Sequence, residues 1–330
     1  MESVGCYLTG ILPRPEELIE TTRAYARGRI SKEELENAFE KATEEVVKAQ
    51  MSANLSYVID GMLKWQDLLR PFTENLDGVC VGSLARWFNN NTFYRKPVIT
   101  NKINHEKSIV KEITCITLLP KNVPWKTILP APYTFTQLAE NQHYKDKTEL
   151  MFEYAKILNR EITELANLGF KYIQLSDPAL VYQPTSKTIC KDELNMVKDA
   201  LNVAVKGVPS KTCLQTFFGD FTQILPEALE FPVDHLGIDL YETHVEMLEK
   251  YDFDKGVALG VIDARSSLME NPDELAKLVK KIVKAVYPSD FKEIFVCPNC
   301  DLEFLPWKRA KEKMKNLSEL TERLERELYG

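Results

Sequence analysis

The chain has 330 residues, 44% of them hydrophobic, and its 42 basic against 49 acidic side chains leave a formal net charge of -7. That length and composition support one large core, and suit an eightfold β/α barrel with an extension better than two ordinary domains. An acidic surface without a compact Lys/Arg cluster argues against nucleic acid as a partner, and no run of about eighteen apolar residues offers itself as a membrane span.

In chain order, the first strand-like run is VGCYL around Cys6. An N-terminal helical extension follows, clearest in SKEELENAFEKATEEVVKAQ, where Ser31 and Glu34 have the spacing of a capping box. The next strand-like runs are LSYVID, ending at Asp60, and ITCITLLP around Cys115. Between them, over 61–111, the alternation gives way to a long aromatic, polar and proline-punctuated insertion. A helical periodicity over KTELMFEYAKILNREITELANLGF stops at Gly169, and strand-like runs resume with KYIQLS, KTCLQTFF, HLGIDLY, GVALGVI and EIFVC. Eight such runs alternating with helical patterns predict a single (β/α)8 TIM barrel spanning 1–330, with the insertion after its second strand lying at the barrel mouth.

The N-terminus has no charged region followed by a long apolar one, so the expected location is the cytoplasm. Seven cysteines at irregular intervals do not form a secreted disulfide framework and are expected to be reduced. Cys297 and Cys300 form a Cys-x-x-Cys, but a zinc ribbon needs a second such pair or two histidines, and none is spaced for it. Asp60, Asp177 and Asp263 stand at strand ends, where acids either line a barrel mouth or cap the next helix. In the insertion, Arg86, Asn89, Asn90, Asn91 and Arg95 interleave with Trp87, Phe88, Phe93 and Tyr94, as in a site that stacks and hydrogen-bonds a ligand. The alternative is that these aromatics only pack on the rim.

Several long segments in order, LPRPEELIETTRAYARGRISKEELE, RWFNNNTFYRKP, IQLSDPAL, LQTFFGDF and CPNCDLEFLP, resemble the cobalamin-independent methionine synthase family. The resemblance implies a barrel that transfers a methyl group, from a methylated folate or another donor, to homocysteine sulfur. In that family zinc removes the thiol proton, and is held by His-x-Cys, a Glu and the Cys of the last loop. Here the matching positions carry Gln215, Phe217, Asp239 and Cys300, so Cys300 and Asp239 would be remnants of a degenerate metal site, with no bound cofactor expected. Ser176 replaces the acid that grips the homocysteine amine, a loss worth about 1.5 to 3 kcal/mol.

The aromatic RWFNNNTFY and the TFFGD segment are most similar to the N-terminal, zinc-free barrel of the long two-barrel enzymes of this family. The resemblance therefore implies a stand-alone zinc-free barrel acting in methionine biosynthesis with a separately encoded zinc-bearing barrel. Arg14, Asp60, Lys64, Trp65, Arg86, Trp87, Asn89, Asn90, Tyr94, Asp177, Gln215 and Asp263 would then line a groove for the methyl donor or the partner. Two alternatives stay open: a self-sufficient methyltransferase with a metal site rebuilt around Asp239, His244 and Cys300, or a binding module that only stabilises the catalytic barrel.

Overall fold

The computed structural model describes residues 4–182, 189–288 and 292–328. Ten strands occur among them: β1 (Val4–Cys6), β2 (Asp77–Arg86), β3 (Phe93–Asn104), β4 (Trp125–Pro130), β5 (Glu140–Asn141), β6 (Phe170–Ser176), β7 (Lys211–Gln215), β8 (His235–Asp239), β9 (Gly256–Ile262) and β10 (Ile294–Pro298). The helices are α1 (Glu16–Ala26), α2 (Lys32–Ser52), α3 (Arg70–Asn75), α4 (Ile109–Ile113), α5 (Pro132–Leu138), α6 (Lys147–Leu168), α7 (Lys191–Val205), α8 (Val245–Leu248), α9 (Pro272–Val286) and α10 (Trp307–Leu328). Seven strands form one curled, wholly parallel sheet in the order β1-β10-β9-β8-β7-β6-β4.

Every residue of β8, β9 and β10 is buried, because a parallel strand is covered on both faces, and β9 and β10 are accordingly apolar runs. The helices expose one side each, and their ends follow from sequence. Ser31 accepts from the Glu34 amide while the Glu34 carboxylate accepts from the Ser31 amide, so the expected capping box starts α2. Gly169 ends α6 at φ +115, a backbone conformation that a side chain would strain.

Six of the eight expected strands are present. LSYVID is reduced to a one-residue parallel bridge between Val58 and Trp125. The segment nevertheless joins both edges of the sheet: the Ser56 amide donates to Cys6 O, the Val58 amide to Pro124 O, and the Lys126 amide to Val58 O, at 2.8, 3.1 and 3.0 Å. ITCITLLP is not a strand. It follows α4 and contains a 3-10 turn at Ile116–Leu118. The start of α4 is fixed by buried Glu161 on α6, whose carboxylate accepts from the Ser108 hydroxyl and the Ile109 and Val110 amides. The sheet position passes instead to WKTILP, β4, whose pattern is broken by an inward-facing lysine, Lys126.

The 61–111 segment is more regular than an irregular insertion. β2 and β3 pair antiparallel as a hairpin, and β5 adds in parallel to β3. Its tip is WFNNNT, closed by Trp87 N–H to Thr92 O at 2.9 Å and Asn90 N–H to Trp87 O at 3.1 Å. Asparagine-rich tips suit such turns because their side chains bond locally.

Candidate functional site

The carboxyl-terminal edge of the sheet gathers Asp177 after β6, Gln215 and Phe217 at β7, Asp239 at β8, and Asn299, Cys300 and Asp301 after β10. Asp239 is buried, accepting from the Phe218 and Tyr241 amides and from Asn299 Nδ2 at 3.2, 3.0 and 3.2 Å. Burial outweighs those donors and pushes its carboxyl up to about 6. The Cys300 thiol is enclosed, and burial followed by the nearby acids Asp301 and Asp239 pushes it well above its ordinary range. Without a positive partner, a thiol so placed stays protonated near neutrality and is a poor nucleophile.

Gln215 is buried and its Oε1 has no partner. A Cβ on Gly237 would lie 2.3 Å from that oxygen, so the glycine is what gives the amide room. Phe217 is 1% exposed and meets Phe218 edge-on, ring centres 4.7 Å apart. Asp177 accepts at Oδ1 from the Thr134 amide and hydroxyl, while its buried Oδ2 has no partner and burial lifts the carboxyl to about 7. Ser176 accepts from Gln174 Nε2 at 2.9 Å.

No group of three or more His, Cys, Asp or Glu placed to hold a metal occurs among the described residues. His244 does not join Asp239 and Cys300. It caps α8 with an exposed imidazole whose Nε2 lies 3.8 Å from Asp220. Nor do Cys297 and Cys300 act as a pair, since Cys297 packs with Tyr7, Tyr172 and Cys213 while Cys300 packs in the main core.

Most of the other expected residues are engaged in holding loops. Arg14 donates to the carbonyls of Leu63 and Trp65, Asp60 accepts from the Met62 and Cys115 amides, and Lys64 pairs with Glu36 at 2.6 Å. Trp65 is buried against Phe72. Arg86 bonds Asn90 O and Asn91 Oδ1, Asn89 is exposed, Asn90 is buried, and Tyr94 donates to Leu138 O. Asp263 accepts from the Arg265 amide.

Of that set, Arg14 lines a cleft of about 620 Å³, and Trp87 lines a separate one of about 220 Å³ with Ile11, Asp67, Phe93, Asp301 and Glu303 among others. Three of these are acids that sequence reasoning passes over. Asp301 and Glu303 closely follow Cys300, and that position beside the last strand is the available signal.

Residues 7–323 match the family model described as "Cobalamin-independent synthase, Catalytic domain". The chain is 30% identical over 325 residues to a methionine synthase of Saccharolobus solfataricus, covering 97% of this chain and 94% of that one. It is 29% identical over 313 residues to a methionine synthase of Sulfolobus acidocaldarius, covering 93% and 88% respectively. In fold it is similar to a B12-independent methionine synthase from Shewanella sp. W3-18-1, solved in complex with selenomethionine. That likeness has a TM-score of 0.81 at 24% identity and covers 99% of this chain and 98% of that one. A family match over nearly the whole length, on a curled parallel sheet of the same fold, means that this chain belongs to the cobalamin-independent methionine synthase family.

Proposed function

We propose that this chain serves methionine biosynthesis as a zinc-free barrel, helping to hold the methyl donor beside a separately encoded, zinc-bearing barrel in the cytoplasm. The supporting observation is the chemistry of one corner of the mouth. Gln215 and Phe217 sit there as enclosed side chains, and Asp239 is taken up by three donors. An amide and a phenyl ring at two of the four positions leave only Asp239 and Cys300, short of the thiolate, imidazole and carboxylate donors that Zn²⁺ takes in a tetrahedron. The residues present do not fit the metal. No methyl transfer by way of zinc is therefore derived for this chain.

The fold reading that goes with this proposal counts the Ser56–Val58 segment as the eighth stave, closing a (β/α)8 barrel with one seam. The 61–111 hairpin then stands at the mouth, where a donor and a partner barrel would meet. A second reading, that the chain transfers methyl groups by itself, draws on the catalytic-domain description of the matching family model and on relatives of nearly equal length named methionine synthase.

A methyl-transfer assay to homocysteine separates the two. The isolated chain is expected to be inactive, to raise turnover when added to a zinc-bearing relative, and to do so equally well as Cys300→Ser. Turnover by the chain alone, abolished in Cys300→Ser, would instead establish the second reading.

A further inference from the structure

The cleft of about 220 Å³ between the 61–111 hairpin and the loop after β10 has a composition that nothing above explains. Its floor is Asp301, 7% exposed, whose Oδ1 accepts from the Ile11 amide at 2.9 Å. Its own backbone amide also bears on the carboxylate, but no described side chain donates to it, although the group faces the cleft. A Cβ on Gly10 would fall 1.4 Å from Asp301 Oδ1, so the chain keeps a glycine where this acid must fit. Glu303 lines the same cleft, and its carboxylate receives no hydrogen bond from any described residue.

The third acid differs. Asp67 is already engaged by Arg70 at 3.3 Å and by the Leu69 and Arg95 amides. The walls are apolar and aromatic: Ile11 and Leu68, with Trp87 buried and Phe93 exposed at the rim. Neither Asp301 nor Glu303 forms a hydrogen-bonded ion pair with a cation among the described residues; Lys126 and Arg14 act on them only through space. The nearest cations belong elsewhere: Arg14 donates to the carbonyls of Leu63 and Trp65, and Lys126 to Leu8 O and Gln174 Oε1.

We propose that this cleft binds a small monovalent organic cation, a primary or methylated ammonium ion, with the Asp301 and Glu303 carboxylates as counter-ions and Trp87 and Phe93 as its aromatic walls. The shape of the donor set argues against a metal. One oxygen of Asp301 is taken by a backbone amide, and no cluster of three ligating side chains forms among the described residues. An ammonium ion needs fewer donors, and is attracted by both carboxylate and ring face. The volume suits an ion of a few carbons, not a folate-sized molecule. The inference stands whether or not the chain acts beside a zinc-bearing barrel.

Charge state supplies a second readout. Asp301 is faced by Glu303 and Lys126, and Glu303 by Asp301, Asp67 and Arg14; burial raises both carboxyls above their usual range. They are partly protonated near neutrality, and a cation would bind better as they ionise.

The test titrates the full chain with n-butylammonium and with tetramethylammonium, following Trp fluorescence and isothermal calorimetry, beside the neutral control n-butanol and Mg²⁺. Saturable binding of one or both ammonium ions is expected, stronger at about pH 8.5 than at about pH 6, with little response to butanol or Mg²⁺. Glu303→Gln should weaken it by about tenfold or more, in line with loss of one charge-assisted contact. Phe93→Ala, at an exposed site, should weaken it about threefold or more, as loss of a partly solvated ring contact would. Equal binding of butanol, Mg²⁺ preferred over both ammonium ions, or affinity unchanged in both folded variants would overturn the assignment. So would no saturable binding at either pH.

Discussion

Lys126→Ala will destabilise the protein by about 3 kcal/mol, whereas Lys126→Met will cost about 1 kcal/mol or less. Lys126 is 1% exposed on β4, with its ammonium 3.6 Å from the centre of the Tyr7 ring and bonded to Leu8 O and Gln174 Oε1. Burial pushes it down to about 7, and the nearby thiols and Asp301 only partly offset that. Alanine deletes the four-carbon stem, leaves a cavity among Tyr7, Gln174 and their neighbours, and strands two carbonyl acceptors. Methionine strands the same acceptors but refills the volume, and no ammonium then has to be taken out of water. Urea midpoints of the two variants decide the matter. If methionine costs as much as alanine, the charged head and not its stem holds the interior together.

Stability will also fall as pH rises from about 4.5 to 7, by roughly 2 to 4 kcal/mol, and Asp177→Asn will flatten that slope. The direction follows from buried acids, Asp177 and Asp239 among them, with Asp301 and Glu303 of the cleft acting in the same sense. Asp177 is lifted to about 7 and Asp239 to about 6, both mainly by burial. Their unfolded values lie near about 3.9. Between those limits the folded chain holds more protons than the unfolded one, so each rise in pH favours unfolding until the folded groups have ionised.

Two other perturbed groups act outside this window. Glu293 is held down to about 2 by His235 and Lys211, and its contribution is lost only in stronger acid. Lys126 begins to favour the folded state only above about 7. Denaturant unfolding at about pH 4.5, 5.5 and 7 provides the check, and a flat or rising profile in the unmodified protein would show that these carboxyls are better compensated than their surroundings indicate. The Asp177→Asn side chain keeps an acceptor oxygen for the Thr134 amide, so the comparison isolates charge from shape.

Much of the architecture can be read from residue pattern. GVALGVI and EIFVC are continuous apolar runs, and such runs have few options but a strand covered on both faces. Ser31 with Glu34, and Gly169 after α6, mark helix ends because their chemistry is local. β4 escapes such a reading for a tertiary reason: Lys126 breaks its pattern, and only Leu8, Gln174 and Tyr7, brought in from elsewhere in the chain, make an inward lysine tolerable. ITCITLLP misleads because its fate depends on Glu161, about fifty residues downstream of α4.

The mouth shows the same division. That Gln215 and Phe217 stand where the family resemblance leads one to expect metal donors can be read from the letters, while the enclosure of Cys300 and the unbonded oxygen of Asp177 cannot. Lys64 and Trp65 look like binding residues by type, yet one is spent on Glu36 and the other on Phe72. Asp67, Asp301 and Glu303 come from distant loops, and their convergence is a property of the folded chain alone.

The two edges of the parallel sheet meet at Val58 through a few hydrogen bonds, where every other junction is a ladder. Asp60, Lys64 and Asp67 follow that joint closely in the chain. One rim of the mouth is thus hinged on the thinnest part of the wall, and the opposite rim, above β7 to β9, on continuous ladders. A molecule gripped between the two sides pulls against unequal supports, so any adjustment of the opening to its contents falls first on the 60–67 turn.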